Sequence, residues 1–153
     1  MNIKATKLSA YFNQKGITGF RMHEAKDELD TVVFHTGLQS EGKTLPMMVI
    51  IDKSMFINVE VWVANKLVTP ENRDKILPIL DDMNSMQKLF RYFTREEDGG
   101  LFLSTCMVAK DETFDPEVIH ALMDITAQHV TDDVPKMMKR IAGTAEQTLT
   151  QTI

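Results

Sequence analysis

Apolar residues recur along the chain at two spacings, and these spacings predict its elements. Residues 4–15 carry an apolar stripe at helical spacing that ends at Gly16, which predicts a first helix. Four apolar runs, separated by turn-rich or charged pieces, then predict strands at 20–24, 31–38, 46–52 and 56–64. Consecutive strands joined by short loops pair antiparallel, because parallel neighbours need a crossover of roughly a dozen or more residues.

Proline and acidic residues mark two further helices. Thr69-Pro70-Glu71 is typical of an N-cap, a proline at the first helical position and an acidic first turn, so we expect a helix from there to about Asn84. Pro78 should kink or break it, because proline removes one backbone hydrogen bond. Asp115-Pro116-Glu117 repeats the signature and predicts the longest helix, which Pro135 interrupts or restarts.

Two strand-like runs, 88–95 and 100–108, are joined through Asp98-Gly99, a strong hairpin signal. The predicted order is therefore α-βββ(β)-α-ββ-α. It describes an α+β fold of two layers with an antiparallel sheet. Residues 1–142 form one domain in this interpretation, and residues 143–153 form a polar tail that we expect to be frayed.

Composition narrows the class of protein. The chain has 153 residues and a net charge of −5, and this charge repels phosphate backbones and anionic lipid, so we expect neither a nucleic-acid nor a membrane partner. The longest apolar run, Met47–Ile51, is far shorter than the roughly 20 residues of a membrane helix. The single cysteine excludes an intramolecular disulfide, and nothing marks export, so we expect a cytoplasmic protein.

Gly37–Thr44 matches the phosphate-binding pattern GxxxxGK[ST], with Gly37, Gly42, Lys43 and Thr44 at its defining positions. Such a loop needs backbone amides that wrap the phosphates and a following helix that supplies its N-terminus. The residues after Thr44 predict a strand instead of that helix. The sequence therefore favours a tight hairpin, and a nucleotide-binding protein stays as the alternative.

No other pattern predicts catalysis, a cofactor or a metal. His120 and His129 lie nine residues apart, on opposite sides of the predicted helix, and no ligand spacing typical of zinc occurs. Cys106 has no lysine, arginine or histidine within three residues, so we expect an unreactive thiol buried in its strand.

The strand at 56–64 offers a candidate binding surface. Its isoleucine and valines form one face, which belongs to the core. Its other face carries Phe56, Asn58, Glu60 and Trp62, and the apolar members of this set need cover. The 11 methionines are mainly core fillers, although thioethers also form adaptable binding surfaces.

The order of elements resembles the YbjN-domain proteins, whose fold is similar to that of type III secretion chaperones. The likeness covers about residues 4 to 141. It rests on Thr69-Pro70-Glu71, the run Ile76 to Asn84, Leu89-Phe90-Arg91-Tyr92, and Asp98-Gly99 followed by Leu101 and Leu103. The resemblance implies a two-layer α+β domain, often dimeric, that binds protein segments or acts in regulation. It transfers no functional residue, and Pro78 and the tail depart from its usual pattern.

The sequence therefore predicts a non-enzymatic, cytoplasmic protein-binding module, chaperone-like or regulatory, that forms a homodimer. Its contact surface would be a face or an edge of the sheet near Phe56 to Trp62, where an extended peptide could add. A purely structural homodimer subunit is a third hypothesis.

Overall fold

The structure, a computed structural model, describes the backbone of residues 1–151 and the side chains of residues 1–145. Within that range four helices and six strands follow one another: α1 (Ile3–Lys15), β1 (Arg21–Glu24), β2 (Val32–Ser40), β3 (Lys43–Ile51), β4 (Phe56–Ala64), α2 (Arg73–Ser85), β5 (Arg91–Arg95), β6 (Gly100–Val108), α3 (Pro116–Asp132) and α4 (Val134–Gln151).

The strands form one open antiparallel sheet with the order β1-β2-β3-β4-β6-β5. This confirms the α+β class and the predicted hairpin between β5 and β6. β6 lies beside β4, although α2 and β5 separate the two strands in sequence. As a result β4 is an inner strand, and the short strands β1 and β5 form the two edges.

The helices pack on one face of this sheet. Every second residue of β4, from Ile57 to Val63, is buried, and these side chains share one core with the buried residues of all four helices. Helix α1 is tied to the sheet by Asn2, which accepts a hydrogen bond from the Ala5 N–H and donates one to the Ile51 carbonyl oxygen. The molecule therefore has two layers.

Helix α2 begins later than predicted, and of the kink or break expected at Pro78 the structure excludes the break. The helix begins at Arg73, because residues 69–72 form a preceding turn in which the Thr69 N–H donates to Oδ1 of Asn72 at 2.7 Å. The helix also continues through Pro78 without a break. Burial of residues on both sides of the proline, such as Ile76 and Leu80, holds the two halves against the core.

The last two helices meet at Asp133. Asp115 caps α3 by accepting a hydrogen bond from the Glu117 N–H, as its sequence predicts. The backbone of residues 143–151, which the sequence predicts as a polar tail, continues α4 as helix. Among the described residues, no helix is long and apolar enough to cross a membrane.

Candidate protein-binding face

The four residues predicted as a contact surface share the side of the sheet that carries no described helix. We call this side the open face. Strand alternation points the side chains of Phe56, Asn58, Glu60 and Trp62 away from the core. Phe56 is 55% exposed, whereas the other three are half-buried. The structure thus brings the predicted residues together but gives them unequal access to a partner.

Trp62 belongs to a stack of rings that we call the aromatic ladder, formed by Trp62, Phe102 and Phe93 on β4, β6 and β5. Their planes are nearly parallel, with ring centroids 5.5 Å and 5.3 Å apart. The Arg95 guanidinium lies 4.8 Å from the Phe102 centroid and forms an ion pair with Asp98. Trp62 Nε1 also donates to the Ala64 carbonyl oxygen. The rings of the ladder therefore have their packing and hydrogen-bond partners within the chain.

Phe56 has a different environment at the opposite end of β4. Its cross-strand neighbour on the open face is Val108 of β6, which is 61% exposed. We call this pair the apolar patch. Beside it, Ile50 of β3 is half-buried on the same face. Because both side chains stay largely in contact with water, the monomer does not gain the free energy of burying them, which is about 25 cal/mol per Å² of apolar area.

Glu60 lies between the ladder and the patch. No hydrogen bond or ion pair joins its carboxylate to any described residue. Burial raises the pKa of Glu60 above its ordinary value, and the charges of Arg91 and Arg95 oppose this effect. A half-buried carboxylate without a hydrogen-bonded partner is a polar group that the folded monomer does not fully compensate.

Cys106 also lies on the open face, opposite Asn58. It is exposed, so the expectation of a buried thiol was wrong. The reason is the direction of the side chains of β6. Leu101, Leu103 and Thr105 point into the core, and the residues that alternate with them point toward the open face. Its exposure makes Cys106 a natural attachment point for chemical probes of this face.

The two edges of the sheet differ in how open they are. At β5, Asn84 of α2 pairs with the backbone of Tyr92: the Tyr92 N–H donates to Asn84 Oδ1 at 2.7 Å, and Asn84 Nδ2 donates to the Tyr92 carbonyl oxygen at 3.0 Å. The amide side chain takes the place that an added strand would occupy. At the other edge, β1 is only four residues long and exposed throughout. The face therefore offers a larger binding surface than either edge.

The phosphate-loop sequence 37–44 forms the β2–β3 hairpin. Glu41 and Gly42, with φ angles of 48° and 76°, make its two-residue turn, and the strands on either side pair in register. Gln39 Nε2 donates to Thr44 Oγ1 across the hairpin at 2.8 Å. β3 follows directly, where a nucleotide-binding loop needs a helix. The arrangement that wraps a phosphate is not formed.

A buried polar chain joins the sheet to α3. His129, 6% exposed, lies 2.9 Å from Asp133 through Nδ1 and 2.8 Å from the Tyr92 hydroxyl through Nε2, so the hydroxyl donates to the ring. Burial lowers the pKa of His129, although the charge of Asp133 acts to raise it. Burial also raises the pKa of Tyr92. His120 instead faces the Tyr11 hydroxyl, 2.9 Å from its Nδ1. No group of residues in the described part of the chain is arranged to hold a metal.

No family model, curated protein or solved structure matches this chain. The α+β architecture is established by its own strands and helices. The YbjN-like class stays an expectation from the sequence.

Sequence reasoning missed the residues that β6 and β5 contribute to the open face. Val108, Phe102 and Arg91 become part of it only because β6 pairs with β4 and β5 pairs with β6. Alternation along 100–108 could have assigned Phe102 and Val108 to a common face. Nothing in the spacing of residues indicates that this face continues the one that carries Phe56.

Proposed function

We propose that this protein is a non-enzymatic protein-binding module, chaperone-like or regulatory, that is homodimeric and uses the open face to contact another polypeptide. The single observation that carries the proposal is the apolar patch. Phe56 and Val108 are cross-strand neighbours with more than half of each side chain exposed. The surrounding sheet holds them on a fixed backbone, which lowers the entropy cost of binding.

Burial of these two side chains would supply the driving force. A fully buried phenylalanine or valine contributes about 1.5–3 kcal/mol relative to its exposed state. The described helices cover the opposite side of the sheet, so a second polypeptide on the open face would bury these two side chains. Aromatic anchors of this kind are typical energetic centres of protein interfaces.

The proposal includes a cytoplasmic location and a fold of the YbjN type. The cysteine is exposed and has no second cysteine in the chain to pair with, which suits a reducing compartment. The two-layer arrangement, with helices on one face of an antiparallel sheet, is the architecture that the YbjN resemblance implies.

The test replaces Phe56 with aspartate and compares self-association by sedimentation velocity and peptide binding on an array of extended peptides. Phe56→Asp should reduce both by at least about tenfold, because a charge then occupies the apolar centre. Val118→Asp is the matched control, since Val118 is 49% exposed in the first turn of α3, where an acid is tolerated.

Both activities should persist in Val118→Asp. If Phe56→Asp associates and binds peptides like the wild type, the open face is not the contact surface. A wild-type chain that neither associates nor binds any peptide would refute the binding function itself.

A further inference from the structure

One row of the open face carries opposite charges on either side of a small residue. Glu60 of β4 pairs with Ser104 of β6, and Ser104 pairs with Arg91 of β5. Neighbouring strands are about 4.8 Å apart, so the Cα atoms of Glu60 and Arg91 are separated by roughly 10 Å. They do not form an ion pair with each other. Arg91 is exposed, with its guanidinium 5.6 Å from the Phe93 ring centroid.

This row is complementary to itself. A two-fold axis that passes over Ser104 and runs along β6 exchanges the positions of Glu60 and Arg91 in two facing sheets. Each carboxylate then meets a guanidinium of the other molecule, and the contact occurs twice, as in any isologous interface. Within one chain the charge of Arg91 already favours the ionised form of Glu60, but the two side chains are not in ion-pair contact.

We propose that the open face docks a second copy of this chain, with the two-fold axis over Ser104, so that Glu60 of each copy pairs with Arg91 of the other. The inference rests on the proposed function and specifies its first partner and its orientation. It explains why a half-buried carboxylate lies on the open face without a hydrogen-bonded partner in its own chain.

The same axis also accounts for the apolar patch. β5 pairs only with Gly100–Ser104, so Cys106 and Val108 have no β5 neighbour. The two-fold places Phe56 of one copy opposite the position beside Val108 that β5 of the other copy does not reach. It places Val108 and Cys106 close to their own symmetry mates.

The size of the contact predicts its strength. The overlapping strip comprises nine residues on each of β4 and β6 and five residues on β5, roughly 350 Å² in projection. Standard interfaces take about 800 Å² of accessible surface from each partner. We therefore expect a dimer that dissociates on dilution, and each measurement should cover a concentration series.

Charge reversal tests the pairing between copies. In Glu60→Arg alone, each arginine at position 60 faces Arg91 of the other copy, and in Arg91→Glu alone two carboxylates face each other. Each variant should lose dimer affinity by on the order of 100-fold. An equimolar mixture of the two should regain it, because both contacts in the mixed dimer are again between opposite charges.

Arg21→Glu is the matched control. Arg21 lies in β1 on the same row, reached through His35 and Met48, and the proposed overlap does not include it. Its reversal changes the net charge as Arg91→Glu does, so it should leave association unchanged. Circular dichroism of every variant confirms that the fold is kept.

Cys106 supplies an independent measurement, because it is the only cysteine and lies near the axis. A short bismaleimide should link two wild-type chains and two chains of the mixture, but it should link neither charge variant alone. A mixture that stays monomeric, or a wild type that stays monomeric at every concentration, overturns the proposal. If Phe56→Asp abolishes association while the charge variants keep it, the orientation is wrong and the binding function stands.

Discussion

The two ends of β4 carry aromatic residues on the same face, yet they lie in opposite situations. Trp62 stacks on Phe102, donates a hydrogen bond to Ala64 and lies near the Arg95 guanidinium. Phe56 has an exposed valine as its cross-strand neighbour and stays more than half in water. Strand alternation placed both rings on the open face, but the residues across the pairing decide which of them a partner can reach.

The two ends of β4 therefore contribute to different properties, one to the stability of the fold and the other to binding. The aromatic ladder buries aromatic area within the chain and should contribute to the free energy of unfolding. The apolar patch contributes little to the monomer and should contribute to association. Three measurements test this division.

The largest effect should come from Phe102→Ala. Phe102 is 4% exposed and contacts both other rings of the ladder, so its truncation should lower the free energy of unfolding by about 3–5 kcal/mol. Phe56→Ala should change it by only about 0.5 kcal/mol, as is usual for an exposed site. Urea denaturation measures both values. Equal losses would show that the two ends of β4 do not differ.

A smaller loss should follow Gly100→Ala. A Cβ at this position would lie 3.0 Å from Oδ1 of Asp98, 3.1 Å from Cε2 of Phe102 and 3.4 Å from Nε1 of Trp62, so the Asp98 side chain and the ladder would have to shift. We expect a loss of about 1–2 kcal/mol, as for overpacking. In Gly143→Ala, a Cβ meets nothing within 4 Å and the site is helical, so thermal unfolding should show a slight gain. A neutral Gly100→Ala would argue against a tightly packed ladder.

The smallest effect concerns Glu60, at the boundary between the two regions. Because burial raises the pKa of Glu60, the folded state disfavours its charged form, and Glu60→Gln should stabilise the dilute monomer by about 0.5 kcal/mol at pH 7. The gain should shrink as the pH falls through the folded-state pKa, because the wild-type carboxyl then becomes neutral too. Denaturation at a series of pH values tests this. The same variant should weaken self-association, and a variant that destabilises the monomer at pH 7 would contradict the inferred environment.

The sequence predicted those elements well that depend only on residues close to one another along the chain. The Asp98-Gly99 hairpin, the Asp115 cap of α3 and the alternation along β4 all depend on neighbouring residues, and the structure contains each of them. The structure shows no break at Pro78, and it continues α4 as helix through residues 143–151. At both places the helix persists despite residues that disfavour it locally.

The order and spacing of residues were enough to predict the α+β class and the common facing of Phe56, Asn58, Glu60 and Trp62, because alternation depends only on backbone geometry. The pairing of β6 with β4 is known only from the folded arrangement, and it exposes Cys106, buries Phe102 and places Arg91 two strands from Glu60. Pairing between strands that are distant in sequence depends on how all the helices cover one face. No spacing of residues along the chain encodes that arrangement directly.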